Sequence, residues 1–192
     1  MVLLAGLAGA NEYEVQLGDQ SYLVVDGEAK MITLPNGDEM KLVVTRSATL
    51  MYEGEDLSFS YSSDMKVSDE TEMGVQTITA ECENSTLFLG QVYPMEISEE
   101  EAVDALMGGM LSEFAGFGAT FPADHLTASE RMVGGKLRHG KRLKFSLGDL
   151  RHETEIYAWH KGTQTITVVF QAAQEDREVA EKYFKIIADS IR

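Results

Sequence analysis

Short alternations of apolar and polar residues predict β-strands along the first quarter of the chain. These runs cover Tyr22–Val25, Met31–Leu34 and Met40–Thr45. The segment Pro35-Asn36-Gly37-Asp38 favours a hairpin between the last two runs, because an Asn-Gly pair accepts the positive φ angles of a tight turn. Residues 11–52 are therefore predicted to form an N-terminal β-hairpin extension.

A second patterned region follows the polar residues 53–56 and continues to the end of the chain. Its main strands are predicted at Val75–Cys82, Thr86–Tyr93, Lys136–Leu147, Leu150–His160 and Thr163–Gln171. The strand at Thr86–Tyr93 is apolar on both faces, which is typical of a central strand covered on two sides. Residues 53–192 are therefore predicted to form the main domain.

Two amphipathic helices are predicted in this main domain. Ser98 and Glu101 form a capping box at the start of the first helix, whose apolar stripe continues to Phe114. Its Gly108-Gly109 pair is expected to allow close packing on the sheet, at a cost of about 1 kcal/mol per glycine. The second helix closes the chain with an apolar face of Val179, Tyr183, Phe184, Ile187 and Ile191.

The chain is strongly acidic, with a formal net charge of −16 over 192 residues. Residues 1–96 hold 17 acidic and 4 basic side chains, against 15 and 12 in residues 97–192. Such a charge repels phosphate, so neither nucleic acid nor an anionic lipid surface is expected as a partner. Cys82 is the single cysteine, which excludes an intrachain disulfide.

The opening MVLLAGLAGA is uncharged and apolar, and Ala8-Gly9-Ala10 fits the small-residue rule for signal-peptide cleavage. Residues 1–10 are therefore predicted to be the end of an export signal. Ten residues are too few to span a bilayer, so no membrane span is expected there. An extracytoplasmic location, periplasmic or secreted, follows from this prediction.

One basic cluster stands out, and the predicted hairpin places its residues opposite named partners. If Gly148-Asp149 is a two-residue turn, Lys144 faces Glu153, Arg142 faces Glu155, and Arg138 faces Trp159 on one side of the sheet. One interpretation is a solvated face that neutralises itself. The other is a protein-docking face of Arg138, Arg142, Tyr157 and Trp159, since these residue types dominate binding hot spots. Under this interpretation, Trp159→Ser abolishes partner binding without unfolding the domain.

No sequence motif indicates a catalytic residue, a cofactor site or a metal site. His139 and His152 fall on the same face of the predicted hairpin but are offset along it. The four histidines lack metal-ligand spacing, and the acidic runs lack the alternating ligands of a calcium loop. The chain is therefore expected to bind no cofactor and no metal.

Two segments carry a resemblance to a known family. The first segment, LSFSYSSDMKV, is similar to the opening strand and turn of that family, with Ser62 at the family's proline position and Met65 at its tryptophan position. The second segment, TITVVFQAAQEDREVAEKYFKIIADSIR, is similar to the family's last strand and helix. From about residue 57 to 192 the chain resembles the α/β/α sandwich superfamily that includes PsbP, the eukaryotic Ran-binding factor and DcrB-type envelope proteins. The resemblance implies an α+β fold, with a central antiparallel sheet between helices, and an accessory or binding role without catalysis.

The leading hypothesis is an exported, non-catalytic binding or accessory domain of a larger envelope assembly, with a protein partner. A hydrolase with an unrecognised site is an alternative, and it predicts a deep pocket holding carboxylates or histidines with shifted pKa values. A further alternative is a structural envelope protein that associates with itself through the edge of its N-terminal hairpin.

Overall fold

The computed structural model describes residues 2–6, 12–34, 36–45 and 47–192. Antiparallel β-sheet and two α-helices make up its regular structure, which places the protein in the α+β class. The chain divides into two compact units, Met1–Ala48 and Thr49–Arg192. Neither of the helices in the described residues is both long enough and apolar enough to cross a membrane.

The first unit contains a three-stranded antiparallel sheet of β1 (Val2–Gly6), β2 (Glu12–Leu17) and β3 (Gln20–Val25). It also contains β4 (Ala29–Thr33), which pairs antiparallel with β5 (Glu39–Val43). In the turn between them Gly37 has a φ angle of 86°, which glycine adopts without strain. Pro35 of the predicted turn and Ala8-Gly9-Ala10 of the predicted export signal lie outside the described residues.

The second unit begins with β6 (Thr49–Glu53), which pairs antiparallel with β7 (Ser58–Ser62). Seven further strands form one antiparallel sheet in the order β11-β12-β13-β14-β10-β9-β8. Their bounds are β8 (Lys66–Glu72), β9 (Val75–Glu81), β10 (Leu87–Tyr93), β11 (Leu126–Val133), β12 (Lys136–Leu147), β13 (Leu150–Lys161) and β14 (Gln164–Ala173). The last five strands predicted from the sequence are thereby confirmed within two residues, and β8 and β11 form the two edges of the sheet.

Two helices accompany this sheet, α1 (Glu99–Gly116) and α2 (Arg177–Ser190). The backbone N–H of Glu101 donates to the Ser98 side chain at 3.2 Å, which confirms the serine half of the predicted capping box. Gly108 and Gly109 are exposed, and a Cβ atom at either position would meet no atom within 4 Å. The expectation that they allow close packing on the sheet is therefore wrong, because they lie on the solvent side of α1.

Alternate residues of β13 and β14 contribute to two separate hydrophobic clusters, because successive side chains of a strand point to opposite faces. The first cluster includes Tyr157, Trp159, Val168 and Phe170, together with Phe184 and Ile187 of α2. The second includes Ile156, Ala158 and Val169, together with Val103 and Met107 of α1. Met65 is buried in the first cluster, so a large apolar side chain fills this position where the resembled family has tryptophan.

Candidate functional site

The hairpin of β12 and β13 brings the predicted basic and acidic residues together. Lys144 pairs with Glu153 and Arg142 with Glu155 in the strand register, as the Gly148-Asp149 turn predicts. Arg138 lies with its guanidinium carbon 4.9 Å from the centre of the Trp159 ring. Cross-strand opposition brings Arg142 into contact with Glu155, whereas the Lys144 ammonium group contacts Asp124 and Glu153 is engaged by Arg177.

Two residues of the predicted docking face lie in the interior. Tyr157 is fully buried, and only 8% of Trp159 is exposed, with both in the hydrophobic cluster beside α2. A buried indole packs in the core and offers little exposed surface to a partner. Trp159→Ser is thus a truncation of the core, and the expectation that it would leave folding intact does not fit this burial.

Glu155 lies at the centre of a polar network beneath α2. Its carboxylate accepts hydrogen bonds from Nε of Arg131 at 2.9 Å and from Nε of Arg142 at 3.0 Å. The Tyr157 hydroxyl donates to it at 2.9 Å, and Ser129 contacts that hydroxyl at 2.8 Å. Because only 8% of its side chain is exposed, Glu155 depends on these donors for the stability of its charge.

Two residues of helix α2, Arg177 and Glu181, add further ion pairs to this network. The Arg131 guanidinium donates to both carboxylate oxygens of Glu181, at 3.0 and 3.1 Å, and lies 5.0 Å from the centre of the Phe170 ring. Arg177 of the same helix forms an ion pair with Glu153. Arg131, on an edge strand, therefore ties that edge to α2 through Glu181 and to β13 through Glu155.

Burial and neighbouring charges shift the pKa values of Glu155 and Arg131 in opposite directions. Burial alone would raise the pKa of Glu155, but the Arg131 and Arg142 guanidinium groups outweigh it and hold the pKa below its usual value. Burial lowers the pKa of Arg131, yet the Glu181 and Glu155 carboxylates raise it overall. Burial raises the pKa of Tyr157 to about 12, so its hydroxyl remains a donor at neutral pH.

The outer end of the β11–β12 hairpin exposes apolar side chains. Met132 and Leu137 are opposite each other in the strand register and are 50% and 53% exposed. Arg138 follows Leu137 and stacks on Trp159, and its buried Nε has no hydrogen-bond partner. Apolar contact area and an arginine therefore lie together at one end of the sheet.

A cleft of about 530 Å³ lies where the loop after α1 meets the ends of β12 and β13. It is lined by Thr120, Phe121, Pro122, Lys144, Phe145, Ser146, Arg151, His152, Glu153 and Gln174. Burial lowers the pKa of His152, and the buried Nδ1 of this residue has no hydrogen-bond partner. Two other histidine rings contact backbone carbonyl groups, Nδ1 of His125 that of Pro122 at 2.8 Å and Nε2 of His160 that of Ile97 at 2.7 Å.

His139 and His152, which share a face of the predicted hairpin, have different surroundings. His139 is exposed and lies 3.0 Å from Glu130, whereas His152 stacks on Phe145 at a distance of 5.0 Å between ring centres. Across the part of the chain that the structure describes, no group of three His, Cys, Asp or Glu residues is placed to hold a metal ion.

Several residues of the candidate site are not indicated by any pattern in the sequence. Arg131 lies in β11, a strand that the hydrophobic pattern does not predict, and Glu181 reaches it from a helix fifty residues further along the chain. The cleft residues Thr120 and His152 are also distant in the sequence. Only the pairing across β12 and β13 follows from local sequence, because a two-residue turn sets the register.

No protein-family model and no curated protein sequence matches the chain. Solved structures similar to it include the cyanobacterial PsbP of Synechocystis sp. PCC 6803, at 12% identity over 78% of this chain and 94% of that chain, with a TM-score of 0.48. They also include a protein of Bacteroides thetaiotaomicron VPI-5482, at 13% identity over 76% of this chain, with a TM-score of 0.46. The chain spans 47% of the length of this second protein. A PsbP, a member of the family that the sequence resembles, is thus among the solved structures similar to this chain.

Proposed function

We propose that this chain is an exported, non-catalytic accessory domain that binds a protein partner in an envelope assembly. In this proposal residues 53–192 form an α/β/α sandwich, residues 11–52 form a β-hairpin extension, and residues 1–10 are the end of an export signal. The partner adds an extended strand to β11 and contacts the end of the β11–β12 hairpin. Among the residues of the predicted docking face, Arg138 supplies direct contact, while Arg142, Tyr157 and Trp159 support it from beneath.

A difference between the two edges of the large sheet carries this proposal. The edge strand β8 has four charged residues among its seven and is exposed along most of its length. The opposite edge strand β11 has only Glu130 and Arg131 among its eight residues, and Arg131 is occupied by Glu155 and Glu181. Soluble proteins guard edge strands with charges, so an edge without such protection is suited to pairing with another chain.

The surroundings of β11 supply the side chains that such an interface needs. Met132 and Leu137 present apolar area directly beside the free edge, and Arg138 stacks on Trp159. Methionine and arginine are enriched in the centres of protein interfaces. An arginine that is already ordered by stacking loses little conformational entropy when it binds.

Charge favours a different protein over a second copy of this chain. Residues 126–144 contain six basic side chains and one acidic side chain. Carboxylates engage Arg131, Lys141, Arg142 and Lys144, whereas Lys136 and Arg138 form no ion pair with any residue that the structure describes. A second copy would present the same two uncompensated basic residues and so would add no charge complementarity to this surface. An acidic partner surface would instead complement the hairpin.

Affinity capture from an envelope extract of the source tests the proposal, with Met132→Glu and Met73→Glu as matched variants. Met73 is 97% exposed on the β8–β9 turn, so the same substitution there adds the same charge far from β11. We expect the native chain and Met73→Glu to retain one stoichiometric protein, and Met132→Glu to retain at least tenfold less. Equal capture by both variants, or no partner for the native chain, would overturn the proposal.

A further inference from the structure

The cleft beside the loop after α1 is separate from β11, and none of its lining residues belongs to that strand. We propose that this cleft binds a small aromatic carboxylate. Its volume of about 530 Å³ is within the range of small-molecule sites, which is about 300–1,000 Å³. The inference does not rest on the proposed docking through β11.

One wall of the cleft is suited to a planar ring. Phe145 stacks on Phe114 with 4.2 Å between ring centres, and His152 stacks on Phe145 at 5.0 Å with 12° between the ring planes. Phe121 packs near the same residue, with 6.4 Å between the ring centres. A flat aromatic ligand would extend this group of rings and gain dispersion contact with them.

Among the residues that line the cleft, the charge without an ion pair is positive, while the Glu175 and Asp176 carboxylates beside the cleft act electrostatically on His152. Arg151 forms no ion pair with any residue that the structure describes, whereas Glu153 is engaged by Arg177 and lies 3.9 Å from Nε of Arg142. Lys144 contacts Asp124 at 3.3 Å, but that carboxylate is exposed, so the pair is weak and can open. An arginine with five free donors is the side chain that best matches a carboxylate.

A polar atom of the cleft also lacks a partner. The buried Nδ1 of His152 makes no hydrogen bond with protein atoms, although most buried polar side-chain atoms in proteins do. Gln174, Thr120 and Ser146 add further polar groups to the lining. A ligand that combines an apolar ring with an acidic group therefore matches both parts of the cleft.

The binding of 2-naphthoate to the full chain, measured by isothermal titration calorimetry, tests this inference. The neutral amide 2-naphthamide has the same ring and nearly the same shape, so it isolates the contribution of the negative charge. We expect binding of naphthoate at a concentration of about 1 mM or below, at least tenfold weaker binding of naphthamide, and a shift of the His152 ring resonances on addition of naphthoate.

Two variants with the same change in charge complete the experiment. Arg151→Gln should weaken naphthoate binding at least tenfold, and Lys136→Gln, on the far hairpin, should leave it unchanged. Both residues are exposed, so neither variant is expected to disturb folding. Undetectable naphthoate binding, equal binding of the amide, or equal affinity of the two variants would overturn the inference.

Discussion

Replacing Glu155 with glutamine should strongly destabilise the second unit of the protein. The substitution keeps the size of the side chain but removes the charge that faces Arg131 and Arg142. These two guanidinium groups then lose the carboxylate that neutralises them, and Arg131 retains only Glu181. The Tyr157 hydroxyl also loses its charged acceptor.

The expected loss follows from the burial of the network. Removing one partner from a buried ion pair costs about 3–5 kcal/mol, because it leaves an uncompensated charge. Arg142 is partly exposed, so water relieves part of this cost, and we expect about 3 kcal/mol for Glu155→Gln. The matched control is Glu181→Gln, whose side chain is 41% exposed and which should cost about 1 kcal/mol or less.

Urea denaturation, monitored by tryptophan fluorescence, measures the unfolding free energy of both variants. The signal reports on this region because Trp159 is the single tryptophan and lies in the core beside the network. The urea concentration at the midpoint of unfolding should fall much further for Glu155→Gln than for Glu181→Gln. The dependence of the unfolding free energy on urea concentration should stay the same in both variants. If the two variants differ by less than about 1 kcal/mol, the charge of Glu155 does not have the structural role that its contacts indicate.

Three further predictions concern pH, helix α1 and the core. The pKa of Glu155 is lower in the folded protein than in the unfolded chain. The ionised carboxylate therefore stabilises the fold fully above the unfolded pKa, and this stabilisation is lost as pH falls through the folded pKa. The difference in unfolding free energy between the native chain and Glu155→Gln should accordingly shrink from pH 7 to pH 3. Gly108→Ala and Gly109→Ala should each raise the free energy of unfolding by about 0.5–1 kcal/mol in urea, since both lie in the exposed interior of α1. Trp159→Ser should lower it by about 3–5 kcal/mol, detected by thermal circular dichroism, and a stable variant would contradict the burial of that indole.

Local sequence predicts the elements that are defined by local rules. The turn at Gly148-Asp149 sets the register of β12 and β13, because a two-residue turn fixes which residues are opposite each other. Ser98 marks the start of α1, because its side chain satisfies a free backbone donor. The sequence also predicts that Arg142, Glu155 and Tyr157 share one face of the sheet, because every second side chain of a strand points to the same face.

The parts that the sequence could not predict depend on distant segments. Strand β11 has no consistent alternation, since it is an edge strand whose residues face partners from α2 and β12. The burial of Tyr157 depends on α2 covering that face of the sheet, and a strand pattern does not say which helix does so. The cleft forms only when the loop at Thr120 meets β12 and β13, which the chain reaches through non-local contacts.

Amide hydrogen exchange of the native chain, measured with and without its captured partner, tests the central claim most directly. If the partner adds a strand to β11, the outward amides of Leu126–Val133 should exchange readily in the free chain and become protected in the complex, while those of β8 stay unchanged. Protection that appears on another element and leaves β11 unchanged would contradict the claim that this edge is the docking surface.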